Sequence, residues 1–161
     1  MKQSPDWKRI QERMQPGQLT RDGMLGTDKR SIPEIIDADN ATVMRIGLTH
    51  RDIADRLQSL QEAARERLGD TLVVGVVYEV RADEARGILP CPFGHPGGRF
   101  RKCVTYLKHL PTGQTLQWTD LGIHMIRDHG FYEGKGSPFR LEPAEIAHIF
   151  AIPPTGGDEE L

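Results

Sequence analysis

Thiolates and imidazoles are the side chains that hold borderline metal ions, and this chain gathers them in one stretch. Both cysteines, Cys91 and Cys103, and the histidines His95, His124 and His129 fall between residues 91 and 129. As a spacing they read Cys91-x11-Cys103-x20-His124-x4-His129, with His95 inside the first interval. Two thiolates and two imidazoles suit a tetrahedral zinc ion. The expected ligands are therefore Cys91, Cys103, His124 and His129, with His95 as the substitute for Cys103 or His124.

A cysteine-bearing hairpin followed by a helix with H-x4-H resembles an expanded form of the zinc-finger ββα layout. The resemblance is confined to that layout, because the interval between the cysteines is far longer than the finger's two to four residues. On an ideal helix, His124 and His129 project roughly 140° apart. His129 shares the apolar arc of Leu121, Met125 and Ile126, whereas His124 falls between Arg127 and Asp128. The two rings are expected to reach one ion only if the last turn tightens.

The same donors allow a second chemistry. Three protein ligands and a bound water would make a hydrolase-like centre, with Asp120, Asp128 or Glu133 as general base. Cys91 beside a histidine would alternatively form a nucleophile pair, held by the flanking Pro90 and Pro92. Neither H-E-x-x-H nor the zinc-deaminase pairing of H-x-E with P-C-x-x-C occurs. Gly134–Ser137 reads GKGS without the rest of a phosphate loop, so it is a surface turn whose Lys135, with Arg140, could grip an anion.

A third chemistry is nucleic-acid contact. Arg45–Leu57 resembles a helix-turn-helix within residues 41–57, with Val43, Gly47 and Ile53 at the small, turn and inward positions. A plain two-helix packing unit is the alternative. Arg99, Arg101 and Lys102, close to Phe93, Phe100, Tyr106 and Trp118, form the basic and aromatic mixture that suits single strands. The solvated face of a strand is the alternative there.

These groups need a scaffold, and 161 residues are enough for one domain with a real core. The expected class is α+β, a helical N-terminal half packed on a small, mostly antiparallel sheet, with the ββα-like segment near residues 88–131. Residues 1–30 read as an arm with one short helix, capped by Ser4 and carrying Trp7, Ile10 and Met14. Residues 31–69 are the helical part. Ser31 and Glu34 open one helix by a capping box; it runs to Ile46 with a break near Asp39-Asn40 and stops at Gly47. Thr49 and Asp52 open the next, whose stripe is Ile53, Leu57, Leu60, Ala64 and Leu68.

Residues 70–152 are the β-rich part. Thr71–Val80 reads as one strand, Ile88–Cys91 as a short one, and Phe100–His109 and Thr115–Trp118 as a hairpin about Pro111–Gln114. A helix at Leu121–His129, capped by Thr119 or Asp120, ends at Gly130, and another starts at Pro143. Residues 153–161 read as a disordered tail.

Composition narrows the classes. A net charge of −2 is not that of a general polyanion binder. No run reaches the ~20 apolar residues of a membrane helix, and the first residues have no apolar signal core. The expected setting is the cytoplasm, where the cysteines would be free thiols or ligands. A protein partner is also compatible with this composition; none is specified by it.

Overall fold

The computed structural model describes residues 5–95 and 97–153. The proposed Ser4 cap and all but Pro153 of the expected tail lie outside the described residues. The architecture is α+β: helices α1 (Pro5–Arg13), α2 (Ile32–Arg45) and α3 (His50–Arg65) precede strands β1 (Leu72–Val74), β2 (Tyr78–Pro90), β3 (Arg99–His109) and β4 (Thr115–Thr119), then helices α4 (Asp120–His129) and α5 (Pro143–Phe150). The strands form one antiparallel sheet in the order β1-β2-β3-β4.

Local chemistry sets most helix ends. Ser31 with Glu34, and Thr49 with Asp52, form complete capping boxes, each supplying partners for backbone donors that the first turn leaves bare. α2 does not break at Asp39-Asn40. Asp39 instead points inward, where Arg140 grips both carboxylate oxygens at 2.5 and 2.9 Å. α3 stops at Arg65, short of the expected Leu68, which is 92% exposed and outside the buried stripe.

The expected single strand Thr71–Val80 is a hairpin. Gly75 and Val76 both take positive φ (61° and 56°), and the N–H of Val77 returns to the carbonyl of Val74. β2 then runs on through Ile88–Pro90, with a register irregularity between Ala85 and Ile88 that re-aims its far end.

Two apolar clusters result, and α4 stands between them. Ile123 and Ile126 face the larger cluster with α3, the sheet and α5. Leu121 and Met125 face a smaller one with α1, α2 and Cys91. Residues 14–30, expected as an arm, carry Met14 and Met24 into this second cluster. They are stitched to the segment after α4 by Gly134 N–H to Met24 O and Thr27 N–H to Lys135 O. No helix among the described residues is long and apolar enough to cross a membrane.

Candidate metal centre

The β2–β3 hairpin ends in a tight turn at Cys91-Pro-Phe-Gly-His95. Gly94 N–H bonds Cys91 O at 3.0 Å, Cys91 N–H bonds Gly98 O at 2.7 Å, and Gly98 N–H bonds His95 O. A side chain at Gly98 is excluded, since its Cβ would sit 2.9 Å from Cys91 Cβ and 3.0 Å from His95 Cε1. This turn aims a thiol and an imidazole toward α4. There, one ligand atom each from Cys91, His95, His124 and His129 all lie within 4.8 Å of one another.

Two of the spacings can be set against the edges of a zinc tetrahedron. Zinc about 2.3 Å from sulfur and about 2.0 Å from nitrogen, in a tetrahedron, places sulfur and nitrogen roughly 3.5 Å apart. Cys91 Sγ and His129 Nε2 are 3.6 Å apart. The Nε2 atoms of His95 and His124 stand at 2.7 Å, within hydrogen-bond reach and closer than the roughly 3.3 Å edge an ion would impose, so an ion would need one ring to shift outward.

The surroundings favour the ligating form of the two α4 histidines. His124 Nδ1 meets Asp128 Oδ2 at 3.1 Å, which fixes the ring and turns the Nε2 lone pair toward the other donors. Burial lowers the pKa of His124, and it holds His129 down at about 4, with His124 and His95 adding to the effect. Burial thus favours the neutral form of both rings, the form a metal ion requires. Burial pushes the Cys91 thiol up, while N–H groups of Phe93 and Gly94 bond the sulfur and pull the other way. A cation beside Cys91 would outweigh burial and favour the thiolate.

The expectation that the helix must tighten is corrected. α4 stays α-helical to His129, Gly130 N–H still reaches Ile126 O at 3.1 Å, and Gly130 closes the end in the left-handed region. The rings of His124 and His129 nevertheless lie 5.2 Å apart. They flank the Leu121–Met125 face, and His129, the terminal residue, leans back toward the preceding turns.

Cys103 is not brought to this group. Its position on β3 gives it the same facing as Thr105 and Leu107, and all three are buried in the larger cluster or beside it. Burial, with Glu84 adding, pushes its thiol up to about 11, an inert state. His95 occupies the place expected of Cys103. The overlooked signal was the Cys91-x3-His95 interval, short enough for one turn to aim both donors. Asp128, considered as a base, instead orients His124. Asp120 accepts a bond from Gln61, which also accepts one from Thr105. Glu133 is buried against Ser137.

The other candidate groups lie elsewhere. Arg99, Arg101 and Lys102 are exposed on β3, and Arg101 faces Glu84. Of the aromatic residues near them, Phe100 stacks on His124, Phe93 on His129 and Trp118 is 1% exposed, whereas Tyr106 is exposed with Arg81 over its ring. In the α2–α3 unit Val43 and Ile53 are buried, Asp55 pairs with Arg127, and Arg56 bonds Phe150 O. Lys135 sits in the GKGS turn, and Arg140 is committed to Asp39 and Glu142. A cavity of about 550 Å³ lies over the sheet around Tyr106 and Lys108, away from the Cys/His group.

Comparisons with protein-family models, curated proteins and solved structures found no match for this chain.

Proposed function

We propose that this is a metal-binding protein in which one zinc ion, held by Cys91, His95, His124 and His129, fastens the β2–β3 turn to α4. The observation that carries the reading is the convergence of four donors from two separate elements, all within 4.8 Å. One thiolate and three imidazoles suit zinc and exclude the hard oxygen-seeking cations. Four protein donors complete a tetrahedron, which supports a structural role over a catalytic centre with an open position. The proposal includes a reducing compartment such as the cytoplasm, because Cys91 must stay a thiolate and the cysteines are unpaired.

Elemental analysis of the purified chain tests it, together with cobalt substitution read as a tetrahedral d–d spectrum. One equivalent of metal is expected. Cys91→Ser and His129→Ala should each abolish stoichiometric binding, whereas Cys103→Ser should retain it. Loss of the ion from Cys103→Ser with retention in His95→Ala would replace this ligand set with the one read from spacing alone.

A further inference from the structure

The N-terminal helix supplies no ligand, yet it touches the metal turn at every residue between Cys91 and His95. Arg13 Nη1 donates to the carbonyl of Pro92 at 2.8 Å. The same guanidinium lies so close to Gly94 that a Cβ there would be 3.0 Å from Nη1. Trp7 meets Phe93 edge to face at 6.4 Å. Phe93 in turn stacks on the His129 ring, with centroids 4.1 Å apart and planes within 9°. Below these contacts, Ile10 and Met14 are buried in the second cluster. Contact with the centre thus runs from α1 through the turn to a ligand on α4.

Neither partner is stable by itself. A helix of nine residues is too short to persist alone in water. The turn is irregular backbone, held by a few hydrogen bonds and, on the reading above, by the ion. We infer that α1 is a clamp on the metal centre: its docking and ion binding at Cys91, His95, His124 and His129 stabilise one another. Linkage makes the effect reciprocal: whatever factor the ion contributes to docking, docking contributes to ion affinity. Arg13 is then a positioning residue for a ligand set it does not join. The inference rests on the proposed metal centre, and the two can fail separately.

The test uses the full chain and zinc alone, with affinity measured by competition against a chromophoric chelator. Arg13→Ala should bind zinc about tenfold more weakly, the size expected for loss of an outer contact to a ligand-bearing turn. Arg86→Ala, which removes an exposed charge on the same hairpin, should bind as the parent does. In the unmutated chain, tryptic cleavage after the exposed Lys8 and Arg9 should be at least tenfold faster after chelation than with zinc bound. The cleavage arm needs no variant, so misfolding of Arg13→Ala cannot hide the answer. Zinc binding at one equivalent with unchanged cleavage rates, or unchanged affinity in a folded Arg13→Ala, overturns the clamp and leaves the metal centre standing. No zinc bound by the unmutated chain overturns both.

Discussion

The two apolar clusters on either side of α4 are built on different principles. The larger contains nineteen buried residues, drawn mainly from α3, β2, β3, α4 and α5. Regular elements supply its backbone hydrogen bonds, and its side chains are mostly Ile, Leu, Val and aromatic. The smaller contains nine, drawn from α1, α2, α4 and loops, and the Cys/His group lies along it. Its periphery includes aromatic and imidazole rings in contact with one another, with Phe93 touching Trp7, His129 and Phe131. Buried area grows with the number of apolar side chains, so the first cluster can hold its elements unaided. The second has half as many and must order loops whose entropy is costly. Small cores generally need a staple, the role proposed here for the ion. The contrast teaches where to look for a metal: beside a cluster too small for the chain it organises.

Withdrawal of the proposed ion sharpens the comparison most. At free zinc a thousandfold above the Kd of the proposed site, binding would stabilise the native state by about 4 kcal/mol. Hydrogen exchange after chelation should show protection lost in α1 and residues 91–95, while the central β2–β3 pairs at Val80–Leu107 and Ala82–Thr105 keep theirs. Equal loss in both regions would mean that a single cooperative core, not two, holds the chain together.

The converse change belongs to the larger cluster. Leu57 is fully buried there, and Leu57→Ala should cost about 3 kcal/mol through lost transfer energy and a cavity. Urea denaturation of the zinc-loaded protein reads that cost. Its zinc affinity should stay within twofold of the parent, since Leu57 has no place in the second cluster. A tenfold loss of affinity would merge the two regions.

What was legible in the chain follows the same division. The larger cluster is made of elements whose signals are local. Thr49 and Asp52 announce α3, the Ile53–Ala64 stripe gives its buried face, and Gly130 ends α4 where it should. The errors there are also local: Gly75 inside a β-branched run was a turn, and Leu68 was counted into a helix that had ended. The metal group is different, because its geometry depends on pairing between distant segments. Spacing favoured Cys103 as the second thiol. Which way Cys103 faces, however, depends on its register with Glu84 across the sheet and on the irregularity between Ala85 and Ile88. Alternation along β3 groups Cys103 with Thr105 and Leu107, but it does not say which cluster that face meets. The Cys91-x3-His95 turn was local and could have been read.

The seam between the clusters offers the subtlest test. Phe131 belongs to the smaller cluster and Tyr132 to the larger, and Glu133 follows them with φ 70° and a buried carboxyl group. Burial raises its pKa to about 7, opposed by a bond from Ser137 and the charge of Arg140. The unfolded chain releases this proton near the ordinary glutamate value, while the folded chain keeps it to about 7. The folded state therefore binds more protons between those values, and stability falls as pH rises through the window. The contribution is fully present below the ordinary value and lost above about 7, amounting to roughly 3 kcal/mol for an uncoupled group and less for one this close to Arg140. Glu133→Gln keeps an acceptor for Ser137 Oγ–H but cannot titrate. Urea denaturation of both proteins at pH 5 and pH 7.5, each saturated with zinc, should show a smaller fall in the variant. His50 is lowered by burial and works in the opposite direction, but it is common to both proteins and cancels in the difference. Parallel pH dependence in the two would mean that Glu133 is charged in its seam and that Arg140 already balances it.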